Sequence, residues 1–168
     1  MRRVGLFGCL MVCILLFSAC ANQQSPTPVT LDFSCRFCAQ YDGMETTGTI
    51  ERTADKVLTV TFDSPDTLSG ISLIWNGDEV RMRIFGIETA LPQSYLPQSA
   101  FGTVLGGALD DAINRVGNKN FDADGYTLSG TLAEYSYTLR CDRQSGIPLE
   151  LDVPGIPLFI TFSEFTSN

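Results

Sequence analysis

From Leu31 the chain alternates apolar and polar residues, with Leu31, Phe33, Cys35, Phe37, Ala39 and Tyr41 set against Asp32, Ser34, Arg36, Gln40 and Asp42. A two-residue period places the first set on one face of an extended chain and the second on the other, which predicts a half-buried antiparallel strand. Asp42-Gly43 reads as a turn, and strands follow over Thr46 to Arg52 and Val57 to Phe62. Ser64-Pro65-Asp66 breaks the pattern. Ile71 to Trp75 and Val80 to Ile84 then flank Asn76-Gly77, a hairpin signal because Asn and Gly both tolerate positive φ. The first half is therefore a meander of strands.

The periodicity changes once. Phe101, Val104, Leu105, Ala108, Leu109, Ala112, Ile113 and Val116 recur at three- and four-residue spacing, which predicts a helix from Gln98 or Ser99 to Val116. Ser99 is the expected N-cap and Gly117 the expected stop. Gly102, Gly106 and Gly107 each weaken such a helix by roughly 1 kcal/mol relative to Ala, so it depends on packing against the sheet. Strands return over Tyr126 to Leu132 and Tyr135 to Cys141. A last hairpin sets Leu149, Leu151 and Val153 against Ile156, Leu158, Ile160 and Phe162 around Pro154-Gly155. Strands, one helix and more antiparallel strands make the class α+β. No internal repeat appears.

The other informative segment is the N-terminus. Arg2 and Arg3 precede an apolar run from Val4 to Phe17 and the small residues Ser18 and Ala19, the layout of an export signal. The run is short for a bilayer, which needs about 20 apolar residues. Leu16-Phe17-Ser18-Ala19-Cys20 resembles the lipobox of bacterial lipoproteins, with Phe17 where that family usually has Leu. The resemblance implies that residues 1–19 are removed and that Cys20 carries the lipid. Residues 20–29, polar and proline-bearing, are expected to be a tether, and residues 30–168 a single domain. The protein is then expected on the extracytoplasmic face of the cell envelope, with the membrane as a partner through its lipid. Loss of Arg2 and Arg3 takes the net charge from −8 to −10. That excess argues against nucleic acid as a partner and against lying flat on anionic headgroups.

The chain has no histidine, which removes Ser-His-Asp and Cys-His catalysis and every His-ligated metal site. Nucleophile-elbow, Walker and dinucleotide fingerprints are absent as well. The chain is not expected to be an enzyme or to carry a cofactor or metal, although a carboxylate pair remains an open route. Cys35 and Cys38 lie about 10 Å apart in an extended strand, too far for a disulfide. A cross-strand bond from Cys141 to one of them stays open; otherwise all three are small buried hydrophobes. Asn120 to Gly125 matches the first half of a calcium loop, but Thr131 stands where the bidentate Glu belongs, and the segment reads as a polar helix-to-strand connection.

The order of elements, with Pro65 to Gly70 leading into Ile74 to Val80, and Tyr137 to Leu139 running through Asp142 and Ser145 to Pro148 into Ile160 to Phe165, resembles the lipoprotein-carrier superfamily. That superfamily includes the Lol carriers and the mycobacterial lipid-transporting lipoproteins. The resemblance implies a strongly curved antiparallel sheet with the helix on its concave side, wrapped around a hydrophobic cavity that takes acyl chains. Candidate lining residues are Phe33, Phe37, Val60, Phe62, Ile74, Met82, Ile84, Phe101, Leu105, Tyr137, Leu139 and Phe162. The expected function is to bind a lipid or the acyl part of a lipoprotein, as a monomer. The alternative is an envelope interaction module that presents a sheet edge or an acidic face.

Overall fold

A computed structural model describes residues 27–30, 32–115, 119–122 and 124–166. The signal segment, Cys20, most of the tether, Leu31, Val116 and Gly117 lie outside these residues.

Among the described residues eleven strands form one antiparallel sheet. In chain order they are β1 (Phe33–Tyr41), β2 (Met44–Arg52), β3 (Leu58–Ser64), β4 (Ser72–Trp75), β5 (Glu79–Ile84), β6 (Ile87–Pro92), β7 (Lys119–Phe121), β8 (Gly125–Leu132), β9 (Tyr135–Asp142), β10 (Pro148–Val153) and β11 (Leu158–Thr166). The spatial order is β6-β5-β4-β3-β2-β1-β11-β10-β9-β8-β7, two meanders joined where the first and last strands pair. The alternation starting at Phe33 holds through β1. Phe33, Cys35, Phe37 and Ala39 are buried, and Phe37 stands opposite Phe162 on one side and Gly48 on the other.

One helix, α1 (Phe101–Asn114), lies between β6 and β7 in the chain and packs on β3 and β4 as well as on β8 and β9. β4 and β8 are seven strand steps apart, roughly 34 Å in a flat sheet, whereas a helix with its side chains is only about 10–12 Å across. One helix touches both walls because the sheet curls around it. Val104, Leu105, Ala108, Leu109 and Ala112 fill the inside of the curl.

Several elements differ from the sequence expectation. The helix starts at Phe101 rather than Gln98 or Ser99, with Ala100 in the cap position and no side-chain cap. The backbone turns at Pro97–Ala100, and the Ser99 carbonyl accepts the Tyr41 hydroxyl at 2.9 Å, so Ser99 is spent on fastening this segment to the sheet. β6 and β7 lie where no strand was expected. Phe85-Gly86, with φ of 48° and 82°, makes the two-residue turn that folds β6 back on β5. Between β4 and β5, only Gly77 takes positive φ. Asn76 instead uses its Oδ1 to accept the Glu79 N–H at 3.2 Å. An irregularity between Pro148 and Glu150 puts Pro148 in the buried position expected for Leu149. Residues 27–29, assigned to the tether, are fastened: Thr30 N–H bonds the Gly146 carbonyl, the Tyr126 hydroxyl donates to the Thr27 carbonyl, and Val29 is buried.

Candidate hydrophobic ligand site

The inner face of the first meander outruns the helix. Direct cross-strand partners share a face, so Leu58, Val60 and Phe62 on β3 place Trp75 and Leu73 of β4 inward, and through them Val80 and Met82 of β5 and Leu91 and Thr89 of β6. The N-terminal end of α1 covers only part of this surface, and two cavities remain beside its first residue. One, of about 300 Å³, is lined by Tyr41, Asp42, Met44, Thr46, Phe62, Leu68 and Phe101. The other, of about 170 Å³, is lined by Leu73, Trp75, Val80, Met82, Leu91, Leu96, Ala100 and Phe101.

Phe101 borders both. Its ring lies 5.6 Å from that of Phe37 and 6.1 Å from those of Tyr41 and Phe62, in one aromatic cluster. The smaller cavity is lined by apolar side chains, one of which, Trp75, has an indole N–H that is buried without a hydrogen-bond partner among the described residues. The larger has one buried polar group, Thr46, 5% exposed, whose Oγ1 has no hydrogen-bond partner among the described residues. Thr46 faces inward because it stands opposite Ala39 on the buried side of β1.

The expected lining residues separate into three groups. Phe62, Met82 and Phe101 line the cavities. Phe33, Phe37, Val60, Leu105, Tyr137, Leu139 and Phe162 are buried in the packed core, and Ile84 is half-buried on the Met82 face. Ile74 is a correction: it stands opposite Thr59 and Arg81, on the other face from Leu73 and Trp75, because β4 enters the sheet with Trp75 inward. Leu73, Trp75 and Val80, on the face opposite to that of Ile74, were missed, as were Tyr41, Met44, Leu68, Leu91 and Leu96. The only sequence signal of these last five was apolar character at turns and strand ends, where no period identifies a face.

A wider groove of about 490 Å³ runs along the outward side of α1, where Gly102, Thr103, Gly106, Gly107 and Asp110 leave little side chain. It is bounded by Leu132 and by Arg52, which is 1% exposed and paired with Asp110. Farther along the helix Asp111 accepts the Tyr137 hydroxyl at 2.8 Å and Arg115 Nε at 2.5 Å. Burial disfavours ionisation of Asp111, but those two hydrogen bonds and the Arg115 charge outweigh it and lower its pKa. The same surroundings, burial first and then Asp111, raise that of Tyr137.

The cysteines and the partial calcium loop contribute no chemistry to the cavities. Cys35, Cys38 and Cys141 are free thiols. Cys38 is exposed, contrary to expectation, while burial pushes Cys35 and Cys141 up to about 12, so both stay protonated at neutral pH. In the Asn120 to Gly125 segment, Asp122 Oδ1 accepts the N–H groups of Asp124 and Gly125, which lowers its pKa and closes a turn between β7 and β8 rather than a helix-to-strand connection. Among the described residues no cluster of three or more His, Cys, Asp or Glu is placed to hold a metal ion.

No protein-family model matches the sequence, and no curated protein matches it. Solved structures do match. An uncharacterized conserved protein from Thermus thermophilus is 13% identical, covering 81% of this chain and 78% of that one, with a TM-score of 0.52. A LolA superfamily protein from Nitrosomonas europaea is 8% identical over 86% and 89% of the two chains, with a TM-score of 0.37. A putative outer membrane lipoprotein-sorting protein domain from Vibrio parahaemolyticus is 8% identical over 82% and 86%, with a TM-score of 0.41. The likeness is one of fold: the chain is similar in architecture to the Thermus thermophilus protein.

Proposed function

We propose that this chain is an envelope lipoprotein, anchored through lipid on Cys20, whose curved sheet and helix α1 hold a hydrophobic ligand such as an acyl chain of a lipid or lipoprotein. It acts by binding rather than by catalysis. The observation that carries the reading is the pair of apolar cavities on the concave side, beside Phe101, where Met82, Leu91, Leu96 and Leu68 surround space instead of packed atoms. Acyl carbons placed there leave water at about 0.8 kcal/mol per methylene. The lipobox-like end of the signal segment supports the anchor, and a diacylglyceryl group supplies the two chains that stable anchoring requires.

Native mass spectrometry of the mature protein, purified from cells fed labelled palmitate, tests both parts. Covalent label lost on Cys20→Ser supports the anchor. Co-purified lipid, or apolar-probe binding with a negative heat-capacity change, supports the cavity. Protein that carries neither lipid nor probe sinks the ligand reading.

One observation favours a second reading, an interaction module. Every residue of edge strand β6 is exposed, Ile87 to 75%, and beside it Phe85 is 90% exposed. An edge of this kind pairs with an added strand.

A further inference from the structure

The exposed apolar side chains gather on one short stretch. Seven large apolar residues stand exposed among the described residues, and four of them, Phe85, Ile87, Leu91 and the 77% exposed Tyr95, fall within eleven positions. They lie on β6, the last strand at one edge of the described sheet, and at its two ends. Full burial of an aromatic side chain covers about 150–250 Å². The four rings of two such edges would bring roughly 500–800 Å² towards the about 1,200–2,000 Å² of a stable interface.

The free side of β6 has a defined bonding pattern. Gln93 N–H donates to the Asp78 carbonyl at 2.9 Å, so Ile87, Thr89, Leu91 and Gln93 are the positions bonded toward β5. Glu88 and Ala90 aim both N–H and C=O away from the sheet, and Pro92 aims a carbonyl alone. The charges beside this edge are balanced, because Glu79 and Glu88 are ion-paired with Arg81 and Arg83. The net charge of −8 is therefore not concentrated here.

Two identical edges that pair about a two-fold axis run antiparallel, and the side chains select the centre. Centred on Glu88, two carboxylates stand face to face, which is unfavourable. Centred on Ala90, Ile87 meets Gln93 and Leu91 meets Thr89. Centred on Thr89, Ile87 meets Leu91, Thr89 meets Thr89, and each Glu88 exchanges both backbone bonds with Ala90 of the partner. Ala90 stands beside Arg81. Each Glu88, 2.9 Å from its own Arg83, thus faces a second guanidinium across a small side chain. The same register brings Phe85 to Gln93, the first residue of the turn that carries Tyr95.

We infer that the occupant of the β6 edge is a second copy of this chain, paired antiparallel through β6 about an axis at Thr89. This departs from the monomer expected from the sequence. It rests on the reading of β6 as a pairing edge, not on the ligand reading, and names the partner and the register. Ile87 of the partner then stands against Leu91, a wall of the smaller cavity, so pairing extends the apolar inner surface across both bodies.

The test uses the mature chain with Cys20→Ser and Cys38→Ser, which leaves the buried Cys35 and Cys141 as its thiols. Sedimentation equilibrium reads a reversible monomer–dimer equilibrium. Ala90→Pro weakens it about 10-fold or more by removing two bonds from the pair. Thr89→Cys crosslinks the dimer under oxidised glutathione, because facing Cα atoms in a non-bonded pair are about 4.5 Å apart, within disulfide range. Glu88→Cys, roughly 8 Å from its counterpart, does not. A chain that stays monomeric at every concentration, with no Thr89→Cys crosslink, overturns the inference. If that monomer retains an envelope protein that Ala90→Pro releases, the edge reading stands with another occupant; if it retains none, the edge reading falls too. A dimer indifferent to Ala90→Pro, or crosslinked equally at both positions, also overturns the inference.

Discussion

At the scale of single residues, the helix glycines are not equivalent. A Cβ on Gly102 would overlap the indole of Trp75, so glycine there is what lets α1 lie close to β4. A Cβ on Gly106 would meet only Leu58 Cδ2 at 3.6 Å, an ordinary contact. Glycine costs a helix interior about 1 kcal/mol relative to alanine. Gly106→Ala is therefore expected to stabilise the protein by up to about that amount, and Gly102→Ala to destabilise it by about 1–3 kcal/mol through overpacking. Chemical denaturation of the two variants side by side checks the pair. Equal effects would mean that Trp75 does not hold the helix as described.

At the scale of elements, the prediction concerns β6. Ile84 and Ile87 flank a two-residue turn and form a hydrogen-bonded pair, so by alternation Met82–Thr89 is bonded and Arg81–Ala90 is not. Pro92, which has no N–H, falls opposite Glu79 in another non-bonded position, as this alternation requires. The N–H of Ala90 thus points out of the sheet. Ala90→Pro should leave thermal stability nearly unchanged and abolish capture of any partner strand, whereas Thr89→Pro should lower stability by about 1–3 kcal/mol by breaking its bond to β5. Circular-dichroism melts of the two, with pull-downs from envelope extract, measure both effects.

β6 also shows where the sequence stops being legible. Phe33 to Tyr41 alternate cleanly because one face meets a core and the other meets solvent, and the helix period is clear for the same reason. Ile87, Thr89 and Leu91 also alternate with Glu88, Ala90 and Pro92, but all six are exposed, and the glycine that turns the chain follows Phe85, a residue seldom found at positive φ. β7, with three residues, is too short for any period. The site suffered from the same limit. Cavity walls are core residues that happen to lack a neighbour, and neither Met82 nor Leu91 differs in sequence context from Val60, which is fully packed.

At the scale of the whole molecule, the acidic composition is organised. The carboxyls of Asp111, Asp122, Asp142 and Glu79 all have lowered pKa values. Asp111 owes this to Arg115 and Tyr137 acting against its burial, Asp122 to backbone N–H groups, Asp142 to Ser145 and Glu79 to Arg81. A carboxyl with a lower pKa folded than unfolded contributes stability that is present above the unfolded value, 3.8 for Asp, and lost as pH falls through the folded one. The melting temperature should therefore fall steeply below about pH 4 and change little from there to neutrality. Asp111→Asn should flatten that fall. A melting temperature that rises on acidification would contradict the assignment.

The fastening of Thr27 to Thr30 against Gly146 has a consequence for orientation. Thr30 precedes one end of β1, and Tyr41 and Asp42, which border the larger cavity, stand at the other, nine residues or roughly 30 Å away. Held to a bilayer at its Thr27 pole, as the proposed anchor requires, the body would turn these cavities toward the aqueous space beyond. Cargo exchanged there would pass to or from something arriving across that space, so the chain would serve as a landing post rather than a skimmer of its own membrane.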